Sequence, residues 1–397
     1  MTDFNKIIDR HNTNALKYIR LPQMYGTDDL TALWIADMDF ETPDFIVDAM
    51  RKRLDHKIFG YTGEPEEYRP RICQWVLEHD DWKIQPEWIS FIPGIVKGIG
   101  FVINVFVKPD EKVIIQSPVY HPFRLTPLAN KREVVYNPLK MNPDGSFDMD
   151  FDNLAEVADE KCRLLILCNP HNPGGRIWPR ETLRRLADFC AERNILVISD
   201  EIHCDMPLWG NRHIPFAAVS ETAAQNSITF QAPSKTFNIA GIVSSFAIVP
   251  NPEIREKFFS WLAANELNEA DIFAHIAACA AYTPEGEAWR REMIAYVEDN
   301  IRFVEDFCAK NIPQIKPIRP QASFLIWLDC RGLNLTQPQL IDLFVKKAKL
   351  ALNDGTMFGP EGTGFMRLNI AAPRAVLNQA LTALHQQVYG LKFMVYG

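Results

Sequence analysis

At 397 residues, with 47% hydrophobic and 23% charged side chains, the chain has the composition of a water-soluble globular protein. It is longer than one simple core ordinarily fills, so two domains, or one large domain with a smaller one appended, are expected. A formal net charge of −8 makes nucleic acid an unfavourable partner.

The first segment, "MTDFNKIIDRHNTN", has no apolar core and no small-residue cleavage site, so no secretory signal is expected. Residues 1–45 show little sheet pattern and are expected to form an arm joining the smaller domain. The most apolar long stretch, "FIPGIVKGIGFVINVFV", is interrupted by Pro93, Lys97 and three glycines, which argues against a membrane span. Within it, "PGIVKGIG" (93–100) is neither a Walker A loop nor GxGxxG. It does place glycines at a helix start, where free backbone N–H groups can bind an anion. The 8 cysteines are scattered, with no CxxC pair, and fit reduced thiols in a cytoplasmic protein.

From about residue 90 to 250, short apolar runs alternate with helical patterns. The runs are 112–117, 133–138, 163–170, 194–200, 227–232 and 244–249, and the clearest intervening helix is 179–194, with Leu183, Leu186, Ala187 and Cys190 on one stripe. This alternation predicts an α/β fold with a mostly parallel sheet between helices. Ligands of such sheets bind outside the carboxyl ends of the strands. A long helix over 285–311 is followed by a strand, "ASFLIWLDC", and a helix near 337–351. A glycine-rich loop, a strand, "FMRLNIAA", and a last helix complete the chain. These predict a smaller α+β domain over 285–397, beside a large domain over 46–284.

Six short segments carry chemistry, and most follow a predicted strand. In "SDEIHCD", strand alternation would put Glu201, His203 and Asp205 on one face. A metal site is one reading, but those positions spread over roughly 13 Å and no second His or Cys cluster offers ligands. A solvated strand end is another. A third concerns Asp200 alone: a carboxylate ending a buried strand needs a cationic partner, and a protonated ring nitrogen is one. Lys235 follows the run "SITFQA"; it is either a solvated surface charge or a desolvated nucleophile of lowered pKa able to form a Schiff base.

"CNPHNPGG" (168–175) is a turn that can also present the amide of Asn169 or Asn172 to a ligand. Tyr120, just past a strand, is either core or a stacking face for a planar ligand. Arg367, inside an apolar strand, needs an anion, and a substrate carboxylate suits its fork. With the anion site at 93–100, these features converge on pyridoxal 5′-phosphate (PLP) carrying an amino acid.

In order and spacing, "NPHNPGG", "SDEIH" and "SKTFNIAG" resemble the fold-type I PLP enzymes of the aminotransferase class I/II superfamily. "ALWIADMDF" (32–40), "FGYTGEPEEY" (59–68), "PVYHPF", "DEIHCDM" and "FMRLNIAAPR" resemble its cystathionine β-lyase branch, the MalY/PatB-type C–S lyases. The resemblance implies that Lys235 is the Schiff-base lysine and proton shuttle, and that Asp200 holds the pyridinium nitrogen. It implies that Asn172 bonds the ring hydroxyl oxygen and Tyr120 stacks on the ring. Ile95 and Val96 would give backbone N–H groups to the phosphate, aided by Ser234. Tyr61 would reach the phosphate and substrate of a neighbouring subunit, which implies a homodimer. Arg367 would take the substrate carboxylate, with Ala36 and Asp37 at the entrance.

Two positions depart from the wider superfamily. His203 stands where many aminotransferases have tyrosine, as it does in the lyase branch, where it is expected at the cofactor. Val243 stands where many have a phosphate-binding arginine. The implied reaction is β-elimination from an S-substituted cysteine, without a metal. The alternatives are an aminotransferase and a regulatory protein that keeps the fold and acts through a partner.

Overall fold

The structure is a computed structural model, and residues 2–394 are described. Seven strands form the main sheet: β1 (Ile89–Ile92), β2 (Lys112–Ile115), β3 (Glu133–Tyr136), β4 (Cys162–Cys168), β5 (Leu196–Asp200), β6 (Ser227–Gln231) and β7 (Ser245–Ile248). Their spatial order is β1-β7-β6-β5-β4-β2-β3. Neighbours are parallel except β7, which runs antiparallel to both β1 and β6. The six strands expected from the sequence are all present. The seventh, β1, follows directly on a 3-10 turn at Pro86–Trp88 and stops at Pro93; all four of its residues are buried, so it shows no alternation and merges into the apolar stretch that becomes α1.

Side chains alternate between two apolar layers because successive residues of a strand face opposite ways. Leu164 and Ile166 of β4 pack with α1 (Ile95–Phe106), through Ile99, Val102 and Ile103. Leu165 and Leu167 pack on the other face with α2 (Arg180–Glu192), through Leu183, Leu186 and Cys190. Each such aliphatic side chain is fully buried, which contributes about 1.5–3 kcal/mol apiece. Gly98 lets α1 sit close: a Cβ there would stand 2.7 Å from Ile92 Cδ1 and 3.1 Å from the Phe230 ring.

The smaller sheet is antiparallel, in the order β8 (Lys316–Ile318), β9 (Leu325–Asp329), β11 (Phe365–Asn369), β10 (Asn353–Asp354). It shares one apolar cluster with α3 (Pro284–Asn311) and α4 (Arg374–Met394), through Val297, Ile301, Leu377 and Leu381. The arm contributes Phe4, Leu33, Met38 and Phe40 to that cluster. Residues Thr31–Ala32 also pair in parallel with Leu350–Ala351. The helix expected near 337–351 is shorter: Gln337–Asp342 is α-helical, Leu343–Lys347 widens to a π-turn, and the chain then enters that pairing. Among the described residues, no helix is long and apolar enough to cross a membrane.

Candidate active site

The carboxyl ends of β2, β4, β5 and β6 open onto one cavity of about 420 Å³, which the arm and the small sheet close from the other side. Lys235, Asp200, Asn172, Tyr120, His203 and Arg367 all line it. Strand order explains the convergence. β4, β5 and β6 are parallel neighbours, so the loops that leave them emerge side by side.

Asp200 is the last residue of β5 and is buried. Its Oδ1 accepts from the Ile202 N–H at 3.1 Å, but among the described residues no cation lies within ion-pair distance. Burial pushes its carboxyl up to about 7; the Ile202 N–H and the Lys235 charge pull the other way. Lys235 is half-buried four residues beyond β6, in a turn closed by Phe237 N–H to Pro233 O at 3.0 Å and Ile239 N–H to Ser234 O at 3.0 Å. Its Nζ donates to Ala36 O at 2.6 Å. Burial pulls the ammonium down to about 8, against the upward pull of Asp37 and Asp200.

Arg367 is buried in β11. Nη1 donates to Asn172 Oδ1 at 3.0 Å; Nη2 donates to Trp34 O at 2.9 Å and to Asn353 Oδ1 at 2.6 Å. Nε is buried without a partner. Burial draws the guanidinium down to about 10, so it stays charged at neutral pH. Tyr120 is held by its backbone N–H to Asn172 O at 3.1 Å, and burial raises its phenol.

Ile95 and Val96 also line the cavity, from the first turn of α1. Gly94 precedes them at φ 107°, a conformation that L side chains rarely adopt, and it turns the chain so that the helix begins at the cavity wall. The N–H groups of that first turn have no intrahelical acceptor.

Several expected residues sit differently. Asp37 does not line the cavity. Its carboxylate pairs with Arg10 at 2.6 Å and Lys17 at 3.4 Å, in a cluster with Asp39 that pins the segment carrying Ala36. Asp37 therefore reaches Lys235 through its field and its backbone neighbour. Ser234 is buried and is not among the cavity-lining residues. Tyr61 is fully exposed and lies outside this cavity. His203 does line it: Nδ1 meets Ser323 Oγ at 3.1 Å, and burial pulls the imidazole down to about 3, so it is neutral.

The one-faced arrangement of Glu201, His203 and Asp205 is not realised, because the chain turns immediately after Asp200. Glu201 points away into a fully buried network, accepting from Ser199 Oγ at 2.7 Å, the Phe216 N–H at 2.8 Å and His213 Nε2 at 2.9 Å. Asp205 accepts from Trp75 Nε1 at 2.8 Å and Thr236 Oγ1 at 3.2 Å. Among the described residues, no three His, Cys, Asp or Glu side chains are grouped to hold a metal ion. Trp34, Asn353 and His121 also line the cavity and escaped sequence reasoning. Asn353 follows an apolar run and precedes a glycine-rich loop, which was the one available sign.

The donor set fits PLP. A buried carboxylate without a cationic partner suits a protonated ring nitrogen, a lysine of lowered pKa suits an aldehyde, and the open first turn of α1 suits a phosphate.

Comparison with known proteins agrees. The chain matches the family model for aminotransferase class I and II over residues 28–384. It is 41% identical to cystathionine beta-lyase PatB of Bacillus subtilis, over 96% of this chain and 98% of that protein. Cystalysin from Treponema denticola, solved with PLP, superposes with a TM-score of 0.94 at 32% identity, covering 98% of this chain and all of that one. The PLP-bound C–S lyase of Staphylococcus hominis superposes with a TM-score of 0.89 at 33% identity, over 97% and 98% of the two chains. Fold, site and relatives agree, and this chain belongs to the aminotransferase class I and II family of fold-type I, PLP-dependent enzymes.

Proposed function

We propose that this chain is a PLP-dependent carbon–sulfur β-lyase that cleaves an S-substituted cysteine, such as cystathionine, to a thiol, pyruvate and ammonia. The observation that carries it is the meeting of Lys235, Asp200 and Arg367 on one cavity, in a chain so similar to cystathionine β-lyase PatB. Arg367 binds the substrate α-carboxylate and fixes which Cα bond faces the lysine. Bound PLP, held by Asp200, Asn172, Tyr120 and the first turn of α1, supplies an electron sink at Cα. Lys235 Nζ takes the α-proton. Its amine form is accessible near neutral pH because burial has already lowered its pKa. The electron pair left at Cα forms the Cα–Cβ double bond as the Cβ–S bond breaks; the thiolate leaves with the electrons of that bond and takes up a proton, and water hydrolyses the remaining three-carbon unit to pyruvate and ammonia.

Transamination shares proton removal and differs in where the proton returns, so the assay must separate the two. The holoenzyme is incubated with cystathionine, and separately with an amino acid plus a 2-oxo acid. Release of pyruvate and thiol is expected. Efficient amino exchange without pyruvate would sink the lyase reading. Full biological activity of a Lys235→Ala variant would instead favour a regulatory protein.

A cytoplasmic homodimer completes the reading. Ile58, Phe59 and Tyr61 are exposed together on one segment, which suits coverage by a second copy. Tyr61 would then serve the partner's cavity. Light scattering at twice the chain mass, and weaker PLP retention in Tyr61→Ala, are expected; a monomer with normal retention would refute it.

A further inference from the structure

A second cavity, of about 270 Å³, adjoins the first between the segment at 115–136 and the loop Thr356–Pro360 of the small domain. The two cavities share His121 and Met357 as lining residues, so they are neighbours across one imidazole and one thioether. Arg124 lines the second cavity and is half-buried. Among the described residues, no carboxylate pairs with its guanidinium and no side-chain hydrogen bond engages it. Arg71, Arg132 and Arg255, also half-buried, are satisfied by backbone carbonyls, whereas Arg124 has no such side-chain hydrogen bond.

His121 separates Arg124 from Arg367. Burial pulls its imidazole down to about 4, and both guanidinium charges push in the same direction. It is therefore neutral, and its Nδ1 is buried without a partner. Ile115, Val119, Met357 and Phe358 supply the rest of an apolar wall.

We propose that this second cavity is the subsite for the distal end of the substrate, and that Arg124 binds a carboxylate there. Two arginines in adjoining cavities, with apolar surface between, match a thioether that carries a carboxylate at each end. Arg367 holds the α-carboxylate, the sulfur and its methylenes pass His121 and Met357, and the distal carboxylate reaches Arg124. The preferred substrate class is thus an S-substituted cysteine whose tail ends in a carboxylate, of which cystathionine, with an ammonium beside that distal carboxylate, is an example. This inference rests on the lyase reading above.

The test uses the holoenzyme and its Arg124→Met and Arg124→Lys variants, with cystathionine and S-ethylcysteine as substrates. Arg124→Met is expected to lower kcat/KM for cystathionine by roughly 10–100-fold, mainly through KM, since the contact is the same in ground and transition states. S-ethylcysteine, lacking the distal carboxylate, should change by less than about two-fold, and Arg124→Lys should recover part of the loss. Calorimetric titration of cystathionine into Lys235→Ala, with and without Arg124→Met, should show the same weakening without turnover. An unchanged cystathionine kcat/KM, or equal losses on both substrates, would overturn the subsite and leave the lyase reading intact. No pyruvate from either substrate with the unmodified enzyme would instead overturn the lyase reading, and the subsite with it.

Discussion

Arg367 Nη1 donates to Asn172 Oδ1 at 3.0 Å, and this bond ties a strand of the small sheet to the loop after β4 of the large one. The guanidinium is a buried cation with no carboxylate in ion-pair reach among the described residues, and its Nε is unpartnered. Neutral carbonyl and amide oxygens hold its two ends in place. It is therefore oriented, still charged, and short of an anion.

Arg367→Lys should then raise KM for any amino-acid substrate by roughly 100-fold with a smaller change in kcat, because lysine keeps the charge and loses the planar fork. Steady-state kinetics on S-ethylcysteine check this. Equal KM values would show that the substrate carboxylate binds elsewhere.

Lys235→Ala should abolish pyruvate release, a loss of at least about 1,000-fold, and remove the near-visible absorbance of the lysine-bound cofactor. A pH dependence follows. With a pKa near 8, about a quarter of the amine is neutral at pH 7.5, against about 0.1% for an ordinary lysine. Capture of PLP by the apoprotein should therefore accelerate as pH rises toward 8 and level off above it. Stopped-flow absorbance reads the rate; continued acceleration to pH 10 would contradict the lowered pKa.

Asp200→Asn should have opposite consequences for the apoprotein and the holoenzyme. The carboxyl is raised to about 7 in the fold and is ordinary when unfolded, so between about pH 4 and 7 the folded state binds a proton that the unfolded state lacks. Stability contributed by that proton is full at low pH and is lost as pH rises through 7. Replacing Asp200 should thus stabilise the apoprotein at pH 8, by on the order of 4 kcal/mol at most, with no gain near pH 4. Thermal unfolding across that range tests it. The holoenzyme should lose roughly 100-fold or more in kcat, because an amide cannot hold the ring nitrogen protonated.

Glu201→Gln should cost on the order of 3–5 kcal/mol, since it leaves His213 and several donors without their buried carboxylate. Burial opposes the His213 charge, but Glu201 prevails and raises its pKa. The contribution of the pair is therefore full below about pH 6.5 and lost as pH rises through the raised value. Denaturant unfolding at pH 6 and pH 9 should show a larger mutational penalty at pH 6. Activity per folded molecule should remain, because neither side chain lines the cavity.

The six long apolar runs, the stripe on α2 and the motifs around Asn172, Asp200, Lys235 and Arg367 were legible in the sequence, because each depends on local spacing. β1 was not, since its all-buried residues lead straight into the apolar stretch that becomes α1 and do not stand apart from it. In "DEIHCD", strand alternation would have aligned Glu201, His203 and Asp205, but a turn sends them to three separate sets of partners.

By itself, the sequence determined six strands of the main sheet and the family, and it singled out Lys235, Asp200, Asn172 and Arg367 as candidates, because type and order of residues survive without coordinates. Only the tertiary structure decided how those groups are charged. Burial, not residue type, moves Lys235 toward 8, Asp200 toward 7 and His203 toward 3. It also decided which expected residues face inward: Asp37 is taken up by Arg10 and Lys17, and Arg124, unremarkable in the sequence, is left without an anion beside the cavity. Partners brought together from separate parts of the chain set these outcomes, as where Lys235 meets Ala36 across 199 residues, and no local pattern encodes them.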